Sequence, residues 1–80
     1  MDDTKTRLIK CFELVFPDLP VSQIPAASQA GVAAWDSVAA ITMVNVVEDE
    51  FNIQIDLDML ADLDSFDRIL AYLEREAQAA

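Results

Sequence analysis

The feature that most constrains the fold is a helical pattern of apolar residues between Asp36 and Phe51. A helix turns about 100° per residue, so apolar side chains that recur every three or four positions fall in one arc. That arc contains Ala40, Met43, Val44, Val47 and Phe51. Asp36 is a typical N-cap, because its carboxylate can accept unpaired N–H groups of the first turn. The pattern therefore predicts a helix that begins at Asp36 and buries this arc.

The same helix carries a second, partly apolar stripe that lies in a different arc and cannot share the same core. The stripe consists of Val38, Ile41 and Asn45. Ser37 lies beside it, and Glu48 and Asp49 flank it. A helix buried on two sides is one explanation, and a surface that binds a partner is the other. We favour the partner.

An N-terminal helix is predicted from about Thr4 to Phe16, because Pro17 and Pro20 end the helical pattern. Its apolar face consists of Leu8, Cys11, Phe12 and Val15. Residues 18–34 show no clear period and contain several turn-forming residues. We therefore predict a long loop there, and loops of this length are often functional or packed on the core.

After the central helix, residues 52–56 alternate polar and apolar side chains. We interpret them as an extended connector with Ile53 and Ile55 pointing inward. One or two helical turns are expected within residues 57–63. A last helix is predicted to start near Ser65, with Asp64 or Ser65 as its cap. Its apolar face consists of Phe66, Ile69, Leu70 and Leu73.

These segments predict an all-α fold, a small four-helix bundle of three main helices and one short helix. A chain of 80 residues has the length of one domain, so we expect a single domain over residues 1–80. A domain this small buries a modest core and has little stability in reserve. A monomer is the default expectation.

The formal net charge is −10, and the basic residues lie near the two ends of the chain. No Lys or Arg occurs between Cys11 and Asp67, a stretch that carries eleven acids. Nucleic acids and anionic membranes are disfavoured as partners, because both need a basic surface. A basic protein partner fits, since a strong negative field speeds its encounter. Acidity that serves solubility alone is the other interpretation.

Independent catalysis is not expected. The chain has no histidine and one cysteine, which excludes a Cys/His zinc site and a Ser-His or Cys-His pair. Acidic pairs such as Asp56 with Asp58 would need a cleft that excludes water, and a small helical bundle seldom provides one. We expect Cys11 to be a small buried residue. The N-terminal sequence does not resemble a signal peptide and no apolar run could span a membrane, so a cytoplasmic location is expected.

Ser37 has the most unusual setting in the sequence. It follows the predicted cap Asp36 at the first turn of the central helix. A phosphate ester on Ser37 would meet unpaired backbone N–H groups and the positive end of the helix dipole. The plainer interpretation is that Asp-Ser before an apolar helix is only a capping sequence.

A longer run decides between these interpretations. The segment from Trp35 to Ile55 contains Asp-Ser, then Glu-Asp-Glu-Phe at the end of the helix, then Ile-Gln-Ile. It resembles the acyl and peptidyl carrier protein family, in which Asp-Ser-Leu starts the second helix and an Ile-x-Ile connector follows. Residues 65–73 resemble the last helix of that family. The resemblance runs from Trp35 to Leu73 and implies an acyl-carrier-protein-like bundle.

The resemblance implies a carrier and not an enzyme. A phosphopantetheinyl transferase would move 4'-phosphopantetheine from coenzyme A onto Ser37 in a magnesium-dependent reaction. The thiol of the arm would hold cargo as a thioester, and tethering would deliver it to successive enzymes. The expected partners are this transferase, an acyl- or aminoacyl-loading ligase, and downstream synthases or transferases with basic docking surfaces.

The resemblance also implies roles for residues near Ser37. Asp36 precedes the attachment point and would assist the metal of the transferase. The partner-binding residues would be Val38, Ile41, Asn45, Glu48 and Asp49. Each exposed charge pair contributes little alone, so recognition should be distributed over the surface and sensitive to salt.

The sequence departs from the family pattern at two positions. Val38 stands where the family usually has Leu, which keeps the position apolar. Thr42 stands where fatty-acid carriers commonly have an acid, which weakens an assignment to housekeeping fatty-acid synthesis. Trp35 occurs before Asp-Ser in many specialised carriers, and we expect it to pack the loop onto the start of the helix.

Three functions stay open at this point. The first is a free-standing acyl carrier for a fatty-acid, polyketide or other specialised pathway, and the second is an aminoacyl or peptidyl carrier. The third is an unmodified acidic helical adaptor that binds its partner through the Val38, Ile41 and Asn45 stripe. Strong acidity favours the first, and the family-like Asp36-Ser37 pair argues against the adaptor.

Overall fold

The computed structural model describes the backbone of residues 4–79 and the side chains of residues 4–76. Its elements, in chain order, are helix α1 (Thr4–Val15), a first 3₁₀ helix (Val21–Ala26), helix α2 (Ser37–Phe51), a second 3₁₀ helix (Leu57–Met59) and helix α3 (Phe66–Ala79). The predicted all-α fold is confirmed, with three main helices and a short helix at the expected place. Within residues 4–79 no helix is long and apolar enough to cross a membrane.

Helix α2 begins and ends as its sequence dictates. Asp36 is the N-cap, and its Oδ1 atom accepts a hydrogen bond of 2.9 Å from the N–H of Ala39. The helix ends at Asn52, which adopts the left-handed conformation with φ 55° and donates its N–H to the carbonyl of Glu48. Asn tolerates this conformation better than most residues, and such a residue often follows a helix end. The predicted core arc is confirmed, since four of its members are buried and Phe51 is half-buried.

The first 3₁₀ helix lies where the sequence predicted only a loop. The N–H of Gln23 donates to Pro20 over 2.9 Å, and the N–H of Ala27 donates to Ile24 over 3.0 Å. Ile24 is fully buried and anchors the segment. A single buried side chain in six residues leaves no apolar period to detect, which explains why sequence patterning missed this element.

An aromatic cluster forms the centre of the core. Phe12 of α1 packs edge-on against Phe66 of α3, with ring centroids 5.2 Å apart. It also packs edge-on against Trp35, at 5.4 Å. Such edge-to-face pairs are favourable because the positive edge of one ring meets the negative face of the other. One side chain of α1 thus joins α3 to the segment that leads into α2.

Helices α1 and α2 run antiparallel and are joined at one end by Arg7. Its Nε atom donates to Glu50 Oε2 over 2.9 Å, and another guanidinium nitrogen donates to the Glu50 carbonyl. The guanidinium also lies 4.4 Å from the ring centroid of Phe51. The start of α1 therefore contacts the end of α2. Phe16, just after α1, packs on Trp35, just before α2, so the two helices are antiparallel.

The long loop is tied to the start of α3 by an isolated antiparallel bridge between Ser28 and Ser65. The N–H of Gln29 donates to Asp64 over 2.8 Å, and the N–H of Phe66 donates to Ala27 over 2.9 Å. Of the two predicted caps for α3, Ser65 has this role, because its hydroxyl accepts the N–H of Arg68 at 3.2 Å.

Candidate functional site

Ser37 is the first residue of α2 and is exposed, as is the cap Asp36. The Ser37 hydroxyl makes no hydrogen bond to any of the described residues. The N–H groups of a first helical turn lack intrahelical partners, and Asp36 occupies only that of Ala39 here. The site therefore offers a free hydroxyl at the positive end of a 15-residue helix.

Trp35 fixes the position of this helix start. Its side chain is 2% exposed, and its ring lies 5.4 Å from Phe12 and 5.6 Å from Phe16 between centroids. Trp35 is buried as a packing residue, and these contacts hold the end of the loop, just before α2, against α1. The buried indole N–H has no acceptor among the described residues. A buried aromatic residue immediately before two exposed polar residues holds Ser37 at the surface.

The stripe predicted beside Ser37 faces solvent. Val38 is 72% exposed and Ile41 is 44% exposed, and Asn45 is exposed as well. Burial of α2 on two sides, the competing interpretation, does not apply to this structure. Thr42, next to the stripe, donates its hydroxyl to the Val38 carbonyl over 3.1 Å. An apolar surface of this kind is suited to contact with another protein.

The three acids at the end of α2 differ in their contacts. Glu48 is half-buried, and its Oε2 atom accepts the N–H of Ile55 over 2.6 Å. Glu50 is bound to Arg7. Asp49 is exposed and has no ion pair within the described residues. Of the two predicted steering acids, Asp49 is free to meet a partner, whereas Glu48 also holds the connector that follows α2.

Cys11 does not offer a second nucleophile. Its side chain is 1% exposed, as predicted for a small buried residue. Burial, with a smaller contribution from the charge of Glu50, raises the pKa of the Cys11 thiol from 9.0 to about 11. The thiolate is the reactive form of cysteine, so Cys11 is protonated and inert near neutral pH.

The contacts that sequence reasoning missed join distant parts of the chain. Arg7 and Glu50 are 43 positions apart, and Phe16 meets Trp35 across the whole loop. Local spacing carries no signal for such pairs. The one hint of the Arg7–Glu50 pair is that the sequence from Cys11 to Asp67 contains no Lys or Arg. A cation that pairs with the acids of α2 must therefore come from near one end of the chain, as Arg7 does.

Comparison with known proteins gives one match. The family model described as a phosphopantetheine attachment site matches residues 34–73, which is half of the chain. The matched segment begins just before Trp35 and ends within α3, so it contains Ser37, the stripe and the acidic end of α2. Searches of curated proteins and of solved structures found no match.

Proposed function

Because the chain belongs to the phosphopantetheine attachment-site family of acyl and peptidyl carrier proteins, we propose that it carries an acyl group on an arm attached to Ser37. The domain of this family is a carrier and is not itself catalytic. Its cofactor is 4'-phosphopantetheine, which is attached covalently. When bound, this group supplies a terminal thiol that holds an acyl group as a thioester.

The observation that carries the assignment to Ser37 is a comparison of two serines. Ser37 and Ser65 are the only serines between residues 34 and 73. Ser65 is half-buried, takes part in the bridge to Ser28, and uses its hydroxyl to cap α3. Ser37 is exposed and its hydroxyl is free. Ser37 is therefore the serine that a transferase could reach and modify without disturbing the fold.

The surroundings of Ser37 suit a phosphodiester. The first turn of α2 presents backbone N–H groups and the positive end of the helix dipole to an oxygen on Ser37. Asp36 uses Oδ1 as the cap, and its exposed carboxylate keeps Oδ2 for contact with the metal of the transferase. In this proposal Asp36 has two roles, in holding the helix start and in the attachment reaction.

Partner recognition is assigned to the exposed face of α2. The apolar surface of Val38 and Ile41, with Asn45 beside them, would contact the transferase and the enzymes that load or consume the acyl group. Asp49, together with the exposed edge of Glu48, would attract basic docking surfaces. The net charge of −10 supports an acyl carrier of a fatty-acid, polyketide or related pathway over an aminoacyl or peptidyl carrier.

The test is the intact mass of the protein after incubation with coenzyme A, magnesium and a broad-specificity phosphopantetheinyl transferase. We expect the wild type to gain the mass of one arm and Ser37→Ala to gain nothing. Ser22→Ala is the matched control, because Ser22 is also exposed and lies outside the matched segment. Modification of Ser37→Ala would assign the arm to another residue, and an unmodified wild type with several transferases would favour the adaptor.

A further inference from the structure

The position of Ser37, at the first residue of α2, determines which surface an enzyme that acts on it must cover. Helix α2 has 15 residues, so it is about 22 Å long and about 10 Å wide, and the face that it can present measures roughly 220 Å². One side of a specific protein interface buries about 800 Å². Helix α2 alone is therefore too small, and a surface centred on Ser37 must extend beyond the start of the helix.

The surface beyond the start of α2 contains an apolar groove of about 240 Å³. We call it the α1–loop groove, because the end of α1 and the long loop form its walls. Its lining includes Val15, Phe16, Leu19, Val32 and Ala34. Ala34 lies three residues before Ser37, and three residues span at most about 11 Å. An interface of about 800 Å² that is centred on Ser37 has a radius of about 16 Å, so it reaches the groove.

The segment that forms one wall of the groove is very apolar for a chain with a net charge of −10. In residues 14–21 every residue except Asp18 is apolar or proline. Leu14 is 74% exposed and Val21 is 56% exposed, so the segment also presents apolar surface at both of its ends. Exposed apolar surface that is contiguous marks a site of interaction with another molecule.

Asp18 gives the groove an electrostatic preference. It is exposed, has no ion pair within the described residues, and is the one charged residue among the described residues that line the groove. A Lys or Arg on a partner would therefore meet a free carboxylate beside an apolar hollow, and an acid at the same place would be repelled.

We propose that the phosphopantetheinyl transferase docks on the α1–loop groove as well as on α2, with an apolar side chain in the groove and a Lys or Arg beside Asp18. This inference rests on the proposed function and extends the docking surface to the other side of Ser37. The stripe that begins at Val38 lies on the helix side of the hydroxyl, and the groove lies on the loop side. Contacts on both sides fix the position of the hydroxyl better than contacts on one side, which favours the reaction.

The test measures binding to the transferase without modification. Ser37→Ala lacks the acceptor hydroxyl, so we expect it to inhibit arm attachment to the wild type by occupying the transferase. Two variants are then built on Ser37→Ala. Ala34→Asp places a charge on the wall of the groove, and Ala33→Asp places the same charge on an exposed neighbour that does not line it. We expect the inhibition constant to rise about tenfold or more with Ala34→Asp, because an apolar contact at the interface is replaced by an unpaired charge, and to change by less than about twofold with Ala33→Asp. The same pair with Ser37 intact is compared by the KM of arm attachment.

Asp18→Asn tests the charge of the groove with almost no change of shape. We expect the KM of arm attachment to rise by up to about fivefold at low salt, the range for one exposed ion pair, with kcat unchanged. The difference should fade at high salt. Asp62→Asn is the control, because Asp62 is exposed, has no ion pair within the described residues and does not line the groove. Urea unfolding establishes that all variants are folded.

Equal effects of Ala34→Asp and Ala33→Asp would overturn the inference, as would equal KM values for Asp18→Asn and the wild type at low salt. Either result would leave the groove to a different partner or to no occupant. A wild type that gains no arm by mass would refute the proposed function itself. A wild type that is modified normally, with groove variants that bind as well as their controls, would refute docking at the groove alone.

Discussion

Trp35 and Asp36 make different contributions to the exposure of Ser37. Trp35 buries its ring against Phe12 and Phe16, which holds the end of the long loop against α1. Asp36 then starts α2 by accepting the N–H of Ala39. The next side chain, Ser37, points its hydroxyl outward from a fixed backbone. At the scale of single residues the site consists of one buried anchor, one cap and one free hydroxyl.

Two substitutions of Asp36 separate its proposed roles. Asp36→Ala should lower the free energy of unfolding by about 0.5–2 kcal/mol, because the cap is lost. Asp36→Asn should keep most of this stability, since Asn also caps helices well, and should slow the attachment reaction because the carboxylate is gone. Urea unfolding and the initial rate of arm attachment measure the two effects. An Asp36→Asn variant that is modified at the wild-type rate would limit Asp36 to capping.

The stability of the protein should depend on an aromatic side chain at position 35, as a comparison of Trp35→Ala with Trp35→Phe tests. Trp35→Ala should cost about 3–5 kcal/mol, the range for deleting a large buried ring, which is a large fraction of the stability of a small domain. Trp35→Phe should cost far less, because it keeps ring packing and removes an indole N–H that has no acceptor in the described residues. Thermal and urea unfolding measure the stability of the two variants. Equal losses of stability in both would contradict the packing role of Trp35.

The thiol of Cys11 should make stability depend on alkaline pH. Its pKa is raised from 9.0 to about 11 in the folded protein, so the folded state holds the proton more tightly than the unfolded chain. The resulting stabilisation is complete below pH 9 and is lost as the pH rises through about 11. Unfolding free energies of wild type and Cys11→Ala should therefore converge over that range. A difference that stays constant with pH would contradict this expectation.

At the scale of elements, the end of α2 carries its charge in an unfavourable place. Glu48, Asp49 and Glu50 lie in the last turn, where the helix dipole is negative and cations are preferred. The fold offsets this with Arg7, which binds Glu50, and with the N–H of Ile55, which binds Glu48. Only Asp49 is left without such a partner in the described residues.

Removing Arg7 tests this compensation. Arg7→Ala should lower the free energy of unfolding by about 1 kcal/mol, because an exposed ion pair contributes about 0.2–1 kcal/mol and the contact with Phe51 about 0.5–1 kcal/mol. The loss should shrink at high salt. Arg75→Ala is the control, since Arg75 is exposed and has no ion pair within the described residues. Equal effects of the two substitutions would argue against a specific contact.

The sequence predicts the elements well where local spacing carries the information. The bounds of α1 and α2 agree with the predicted segments to within a residue or two, because their apolar periods are long and their ends carry proline or a cap. The first 3₁₀ helix was missed because only Ile24 is buried in it. The choice of Ser65 over Asp64 as the cap depends on the bridge to Ser28, which no local pattern encodes.

For the whole molecule, the acidic residues and the exposed apolar residues have different roles in recognition. The exposed apolar residues Val38 and Ile41 lie within the stretch from Cys11 to Asp67, which contains acids but no Lys or Arg. A field of this sign attracts basic partners from a distance, whereas the apolar residues act only on contact. Recognition spread over many weak charge contacts would allow a carrier to bind and leave several enzymes.

Reversing one charge should have a small but specific effect on partner binding. Asp49→Lys should weaken binding to the transferase by no more than about 2 kcal/mol, because the reversal loses one exposed pair and adds a repulsion of similar size, and it should reduce the dependence of binding on salt. Asp67→Lys is the control, because Asp67 is also exposed but lies on α3. Association kinetics at low and high salt measure both variants. A stronger loss in the control would place the docking surface on α3.

The candidate site was predictable in its parts but not in its arrangement. Asp36, Ser37 and the exposed stripe follow from the helical pattern of α2 alone, and the structure brings them together on one element. The contact of Phe16 with Trp35 is different, because these residues meet only after the long loop folds back onto the end of α1. Local periodicity cannot encode a contact between two segments that lack a common period.

Because Cys11 is sealed within the core, a molecule that bears the arm without an acyl group would display a single sulfhydryl to reagents in solution. A maleimide dye added to folded protein would then mark the arm and nothing else. The ratio of dye to protein would count how many molecules carry an arm, and a drop in labelling after acylation would count how many arms are occupied. The wild-type chain would thus serve as its own stoichiometric reporter, with no need to replace its cysteine first.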